Sequence, residues 1–302
     1  MPLDTNRVNP EARSSQVNSQ IIKNDSLCTN CLLCTKDCIS GVWETIDHTA
    51  VMTHPEFCNR CSHCLAICPK DAITHRALDA SQVTPVHIDK NGPETYEHIV
   101  RNRRSMRHYT DEQVDKDTIQ RLIYLARYSP TASNDQNVSY IVVQDAPLIR
   151  KISRRMFSYM LKLDGFFNTT MGRIVRKYIG AKFTKYLDAM SYYKRETEQG
   201  RDLVFHGAQT LVLFLAPKRA SFAEANCNIA ATNFVNLASS MGLGTCFIGF
   251  IVLAIKWDNH IRRWLKIPKD KRVYASVVLG HPALSHKKTT SRKKAPVTWI
   301  NA

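Results

Sequence analysis

Cys28-Thr-Asn-Cys31-Leu-Leu-Cys34-Thr-Lys-Asp-Cys38 and Cys58-Asn-Arg-Cys61-Ser-His-Cys64-Leu-Ala-Ile-Cys68-Pro69 are two copies of one pattern, C-x2-C-x2-C-x3-C. Cysteine thiolates at this spacing are the ligands of iron–sulfur clusters. A zinc site usually takes two C-x2-C pairs, so each run would leave a surplus thiolate. A zinc-ribbon pair remains one alternative. A disulfide framework is another, in a chain that shows no secretory signal.

The two runs resemble the two-cluster ferredoxin family over roughly residues 20 to 80. The resemblance implies two [4Fe–4S] clusters, an electron-transfer role and crossed ligation. Cys28, Cys31, Cys34 and Cys68 would hold one cluster; Cys58, Cys61, Cys64 and Cys38 would hold the other. Ile39 follows Cys38 where the family run has proline, a change that removes no ligand. Between the runs, Val42–Thr45 and Thr49–Thr53 flank Ile46-Asp47-His48 and predict a short hairpin. Lys70-Asp71-Ala72-Ile73-Thr74 mirrors Ser40-Gly41-Val42-Trp43, so the halves form an internal duplication. His48, His54 and His63 lie nearby. With eight cysteines supplying both clusters, these histidines are expected at the surface or behind the ligands.

The chain has 302 residues, which suits two domains of roughly 100–200 residues each. The cysteine-bearing part is too small to rest on an apolar core alone and would be held together by its clusters. The expected division is an arm over 1–22, a ferredoxin-like domain over 23–80, a linker over 81–94 and a larger domain over 95–302. Pro85 and Asn91-Gly92-Pro93 punctuate the linker. The net charge of +16 suits an acidic protein partner, an anionic cofactor, nucleic acid or a membrane surface. No helix-turn-helix, zinc-finger or RNA-binding signature accompanies the charge, so nucleic acid is not expected. The start carries Asp4, Arg7, Glu11 and Arg13 and lacks the apolar stretch of a signal peptide. The longest uncharged apolar run, Gly242 to Ile255, is shorter than the roughly 20 residues of a spanning helix. It is expected to be a buried segment of a soluble, cytoplasmic protein.

In the larger part, Glu97 to Tyr109 opens as a helix with Arg103-Arg104-Ser105-x-Arg107 at its basic end. Such arginines clamp a phosphate bidentately or form a solvated basic surface. Asp115 is a plausible N-cap for a helix carrying Ile119, Leu122, Ile123 and Ala126, which ends before Ser129-Pro130. A polar loop, Ser129 to Asn137, leads to a strand at Tyr140–Val143. Thr210–Leu215 and Val273–Leu279 are further strands, and Asn226–Met241 is a small-residue-rich helix closed by Gly242. Cys227 and Cys246 lie on these apolar elements and are expected to be buried and inert.

The basic segment, the Ser-Pro…Asn-x-Gln loop, Gly242–Gly249, and Leu279-Gly280-His281-Pro282 followed by Arg292-Lys293-Lys294 together resemble the nitroreductase family of flavoproteins over roughly residues 95 to 302. The resemblance implies an α+β fold, a mixed sheet flanked by helices, and a homodimer with one FMN per subunit at the interface. It implies that Arg103, Arg104 and Ser105 meet the FMN phosphate and ribityl chain, and that Arg107 lies near the flavin N1–O2 edge. Asn134 and Gln136 belong to the loop at the pyrimidine edge, the backbone at Ile248-Gly249 faces N5, and Arg292 and Lys293 close on the phosphate. Asn137 and Val138 replace the family's usual proline and aromatic. A guanidinium near N1 stabilises the anionic reduced flavin, and a glycine lets backbone approach N5.

Residues 147–205 interleave Arg154, Arg155, Arg173, Arg176, Lys177, Lys182 and Lys185 with Phe157, Tyr159, Phe166, Phe167, Tyr178, Phe183 and Tyr186. An inserted helical lid or dimer extension, a dock for an acidic partner, and a membrane or nucleic-acid face all fit. The tail to Trp299-Ile300 is expected to cross to the partner subunit. The function expected is an iron–sulfur flavoprotein oxidoreductase. Electrons from a ferredoxin or flavodoxin, or from NAD(P)H, would pass through two [4Fe–4S] clusters to FMN and on to a nitroaromatic, quinone or activated alkene. The alternative is a non-catalytic electron-transfer subunit docking a larger complex through its basic surface.

Overall fold

The computed structural model describes residues 20–178 and 181–301, with side chains omitted for 181–183. Residues 1–19 of the expected arm, with Asp4, Arg7, Glu11 and Arg13, and the side chains of Lys182 and Phe183 lie outside the described residues. The chain divides into two compact units. One runs to Asp89 and takes in Ser133–Asp135; the other comprises Lys90–Ala132 and Gln136 onward.

The first unit is built on the duplication. β1 (Ile21–Lys23) pairs antiparallel with β4 (Ile73–His75), so the domain begins within the stretch expected to be an arm. β2 (Trp43–Ile46) and β3 (Thr49–Met52) form the expected hairpin. Its turn is Asp47-His48, both left-handed at φ 47° and 61°, the geometry whose twist matches a two-residue hairpin loop. Each cysteine run recurs after thirty positions, from Cys28 to Cys58 and from Cys38 to Cys68. The backbone repeats with it. Asn30 and Leu32 are left-handed (φ 52° and 62°), as are Arg60 and Ser62 (57° and 61°) at the same places in the second run. Short helices follow at Leu33–Asp37 and His63–Ala66. The apolar core is Ile21, Val42, Trp43, Leu65 and Ile73, packed by Cys34, Cys38, Cys58 and Cys64.

The second unit is a three-layer α+β arrangement. Its sheet runs β5 (Ser139–Val143), β6 (Thr210–Pro217), β8 (Lys271–Gly280), β7 (Gly244–Phe247), each neighbour antiparallel. The expected mixture of directions enters only through an isolated parallel bridge between Ser105 and Thr245. β6 is buried on both faces, as a central strand covered on both sides must be. Val212, Phe214 and Val277 pack with helices Lys116–Ala126 and Ala223–Ser240. Leu211, Leu213 and Val278 pack on the other side with helices Ala146–Phe167, Gly249–Trp257 and Asn259–Trp264. Asp115 caps its helix as expected, its carboxylate accepting from the Thr118 amide at 2.7 Å.

Three readings are corrected, and a fourth gains detail. Asn91-Gly92-Pro93 is not linker: a helix spans Gly92–Asn102, with Pro93 in its first turn, where proline costs no hydrogen bond. The basic segment after it is extended, not a helix end. Arg103 takes β geometry, and the Met106 amide donates to the Thr245 carbonyl at 2.8 Å. The run Gly242–Ile255 is not wholly buried. In helix Gly249–Trp257 only Ile251 and Ile255 are buried, while Phe250, Leu253 and Trp257 form an exposed stripe. The basic segment 147–205 is helical, at Ala146–Phe167, Thr170–Arg176, Ala181–Asp188 and Met190–Glu198, yet part of its charge turns inward. Arg155 and Tyr159 both donate to the buried Asp258 carboxylate, and Arg176 pairs with Asp188. Among the described residues no helix is long and apolar enough to cross a membrane.

Candidate functional site

Two cavities in the first unit hold all eight cysteines of the two runs. One is lined by Cys28, Cys31, Cys34 and Cys68. The other is lined by Cys58, Cys61, Cys64 and Cys38. The left-handed residues between the first three cysteines of each run turn successive thiols toward one centre. The last cysteine, beyond a short helix, reaches the opposite cavity. Among the described residues no three His, Cys, Asp or Glu side chains converge on a single-ion point. Thiols ringing a cavity suit a cube with a metal at each corner better than one zinc held at about 2.3 Å.

The electrostatics fit a metal–sulfur group. Burial pushes the Cys64 thiol up to about 11, and it raises Cys34 and Cys58 as well. Left bare, these ligands keep their protons, and bound metal is what would remove them. N–H groups already point at the sulfurs. The Arg60 amide donates to Cys58 Sγ at 3.4 Å and the Ala72 amide to Cys68 Sγ at 3.3 Å. The Trp43 indole N–H is buried, has no nitrogen or oxygen partner, and favours the ionised form of Cys64. Such an orphan donor is costly unless something beyond the protein accepts from it.

His75 was not singled out from the sequence. It is 6 % exposed, and burial together with the Arg60 charge lowers its pKa. Its Nε2 lies 3.8 Å from Cys58 Sγ. His48 and His63 are at the surface and His54 is half-buried. His54 pairs with Glu44 and Glu56, His63 with Asp37.

In the second unit the segment 103–109 lies along β7. Ser105 bridges Thr245, and its hydroxyl meets Cys246. Burial raises the Cys246 thiol, while the Arg107 and Arg103 charges oppose it; these two cations therefore share the neighbourhood of one buried sulfur. Arg107 also reaches His206, whose pKa is lowered first by burial and then by that charge. Arg104 donates to the Lys288 carbonyl at 2.5 Å, drawing the start of the tail to the basic segment. Glycine is required here. A Cβ at Gly244 would stand 2.8 Å from Met106 Cγ, and one at Gly280 would stand 2.9 Å from Tyr109 Cδ1. Gly249 has nothing within 4 Å of where its Cβ would be. This is the open space a planar ring system needs beside a backbone. The Ile248 amide donates to Ser276 O at 3.0 Å, which leaves Gly249, first residue of its helix, as the backbone donor at that corner.

The other expected contact residues have these partners. Asn134 Nδ2 donates to the carbonyls of Asn59 and Arg60 at 3.1 and 3.0 Å, within the first unit. The Gln136 amide donates to Thr131 Oγ1 at 3.0 Å. Arg292 and Lys293 lie on an exposed tail, with the Arg292 guanidinium bonded to Thr290 and Ser291. Cys227 and Cys246 are buried, as expected, and burial pushes Cys227 up to about 12.

Comparison with known proteins agrees with both halves. Residues 27–73 match the 4Fe-4S dicluster domain and residues 100–281 match the nitroreductase family. A putative NADH dehydrogenase/NAD(P)H nitroreductase of Archaeoglobus fulgidus is 21% identical over 188 residues, 61% of this chain and 83% of that protein. An FMN reductase [NAD(P)H] of Bacillus subtilis is 27% identical over 186 residues, 60% of this chain and 64% of that one. A crystal structure of a Desulfitobacterium hafniense nitroreductase with bound FMN superposes with a TM-score of 0.52 at 20% identity, covering 68% of this chain and 98% of that one. The chain belongs to the nitroreductase family, an oxidoreductase whose nitroreductase domain follows a 4Fe-4S dicluster domain.

Proposed function

We propose that this protein is a cytoplasmic iron–sulfur flavoprotein reductase. It would carry electrons from a ferredoxin or flavodoxin, or from NAD(P)H, by way of two [4Fe–4S] clusters and FMN to an electrophilic organic acceptor such as a nitroaromatic, a quinone or an activated alkene. The observation that carries this is the crossed set of four cysteines around each of two cavities, in a chain whose other domain is nitroreductase. When bound, the clusters supply one-electron transfer and FMN converts it to hydride or single-electron chemistry at the acceptor.

The residues divide that work. Cys28, Cys31, Cys34 and Cys68 hold one cluster and Cys38, Cys58, Cys61 and Cys64 the other. Arg103, Arg104 and Ser105 hold the FMN phosphate and ribityl chain, with Arg292 and Lys293 closing over them from the tail. Arg107 sets a fixed positive charge at the N1–O2 edge, where negative charge gathers on the reduced flavin. Gly249 offers backbone and open space at N5, and Asn134 and Gln136 belong to the pyrimidine side. No side chain stands out as an obligatory acid, so protons come from water. The exposed stripe Phe250, Leu253, Trp257 suits a second copy of the chain, because such a patch is seldom left to water. The net charge of +16 suits an acidic electron carrier.

The deciding experiment is an ultraviolet–visible spectrum of protein purified without oxygen, recorded through stepwise reduction, with iron, sulfide and flavin assayed. Iron–sulfur and flavin bands that both bleach are expected. A colourless protein containing zinc would overturn the proposal. Cys34→Ser should then block reduction by a ferredoxin-type donor and spare direct chemical reduction of FMN.

A further inference from the structure

The thirty-residue repeat makes the two cysteine cavities nearly equivalent in backbone, and so exposes where they differ. The position equivalent to Trp43 in the second half is Ile73, and the position equivalent to His75 in the first half is Thr45. Both ring N–H groups therefore serve one cavity, the one lined by Cys38, Cys58, Cys61 and Cys64. Thr45 is exposed and meets Thr35 at 3.2 Å instead.

The orientation of His75 is set by its neighbours. The Ala77 amide donates to His75 Nδ1 at 3.1 Å, so Nδ1 is the acceptor and the ring hydrogen sits on Nε2. That nitrogen is 3.8 Å from Cys58 Sγ, within reach of an N–H···S hydrogen bond. Trp43 lines the same cavity as Cys64; its buried N–H has no hydrogen-bond partner among the described residues, and it favours the ionised form of Cys64. Among the described residues no such ring lines the other cavity. Of the two cations that line it, Lys23 is engaged by the Ala50 carbonyl at 2.8 Å and by Asp25 at 3.0 Å, and Lys70 is exposed.

We propose that His75, seconded by Trp43, donates an N–H···S hydrogen bond that raises the reduction potential of the cluster held by Cys38, Cys58, Cys61 and Cys64. An added electron spreads onto the ligand sulfurs, and a buried N–H dipole aimed at them stabilises the reduced state more than the oxidised one. The step is one electron in, with no proton moved and no bond broken. His75 is a positioning residue: it acts through Cys58, and it makes this cluster the preferred resting place of an electron shared between the two. This rests on the reading of the eight cysteines as ligands of two clusters, and it deepens that reading.

The test uses the full chain, handled without oxygen, in a mediated redox titration followed by electron paramagnetic resonance. His75→Leu should lower one cluster couple by about tenfold in its reduction equilibrium, which is about 59 mV for one electron, and leave the other in place. His75→Gln, whose amide carries an N–H at similar reach, should restore much of the shift, and Trp43→Phe should lower the same couple. Pulsed resonance on protein labelled with ring-¹⁵N histidine, in a His63→Asn background because His63 also lines that cavity, should show nitrogen coupled to a reduced cluster; this readout stands even if the leucine variant fails to assemble. Intact clusters with unmoved couples, couples that move equally, or no nitrogen coupling would overturn the assignment and leave the function proposed above standing. A native protein without iron and sulfide would overturn both.

Discussion

Three glycine-to-alanine substitutions separate folding from flavin binding. At Gly244 the added carbon would lie 2.8 Å from Met106 Cγ, 3.0 Å from Met106 Cβ and 3.2 Å from Tyr109 Cε1. Met106 Cβ is rooted in the backbone, so the segment 105–107 must retreat by a few tenths of an ångström. That retreat strains the Ser105–Thr245 bridge and the 2.8 Å bond from the Met106 amide. Overpacking of this kind costs roughly 1–3 kcal/mol, and a domain of this size loses about 2–4 °C per kcal/mol. Gly244→Ala should therefore melt about 2–12 °C below the parent. Because the displaced segment carries Arg103, Ser105 and Arg107, FMN affinity should fall as well. Gly249→Ala meets nothing within 4 Å. Without flavin it should melt within about 2 °C of the parent, yet bind FMN at least tenfold more weakly, because the methyl group occupies the space reserved for the ring. Gly165, in the helix Ala146–Phe167, also meets nothing, and alanine there should leave FMN affinity unchanged and add up to about 1 kcal/mol of stability. Thermal melts of flavin-free protein and fluorescence titrations with FMN read both quantities. If Gly249→Ala keeps full FMN affinity, the open space at the start of that helix is not the flavin's, and the placement of N5 there is wrong.

Asp258 should govern the acid limb of stability. Burial alone would raise its pKa, but the bonds from Arg155, Tyr159 and the His260 amide outweigh that and hold it well below the usual carboxylate range. As pH falls the unfolded chain takes this proton first. The stabilisation is whole above about pH 4 and is lost as pH drops through the folded value. Asp258→Asn should cost about 1.5–3 kcal/mol at pH 7, the worth of hydrogen bonds to a charged group, and its gap from the parent in urea melts should narrow on acidification; a gap independent of pH would refute the linkage. Arg107→Ala should lower flavin-dependent turnover of a small acceptor by roughly ten- to a hundredfold, a typical loss for a group stabilising developing charge, while an unaffected rate excludes the residue from the flavin edge. Extraction of iron with a chelator should melt the cysteine unit before the nitroreductase unit in hydrogen exchange, since a core cluster as small as Ile21, Val42, Trp43, Leu65 and Ile73 cannot hold the former unaided.

What the sequence disclosed follows from the range over which each interaction acts. Cluster ligands are spaced by a local turn, so the cysteines could be read directly, and the duplication with them. The hairpin at Asp47-His48 and the cap at Asp115 are equally local. The extended course of Arg103 to Tyr109 was hidden because its partner, Thr245, stands about 140 residues away, and nothing in Arg-Arg-Ser-Met-Arg itself rules out a helix end. The need for glycine at 244 and 280 is of the same kind: each is small because a residue from the distant basic segment, Met106 or Tyr109, fills its place. The run Gly242–Ile255 misled in the other direction. Apolarity reports that a surface avoids water and not which surface covers it, so the Phe250, Leu253, Trp257 stripe looked like core.

His75 marks a different limit. Eleven histidines offered no reason to choose one, and the three that lie between Cys28 and Cys68 drew attention because position within the cysteine-bearing stretch was the available criterion. The duplication held a better one. Where two halves bind like groups, positions that match are needed to build the site, and positions that differ are free to make the sites unequal. Setting the halves against each other at thirty residues pairs Trp43 with Ile73 and Thr45 with His75, one aromatic ring in each pair and each ring carrying an N–H. The fold brings both rings to the same cavity. β2 leaves the first run and lays Trp43 beside the thiols of the second, while β4 ends at His75, on the Cys58 side of its own half. A pair of clusters in identical surroundings would share an electron evenly. Unequal donors give that electron a direction without any change in the ligands, which is why the asymmetry falls on residues that the ligand pattern leaves unspecified.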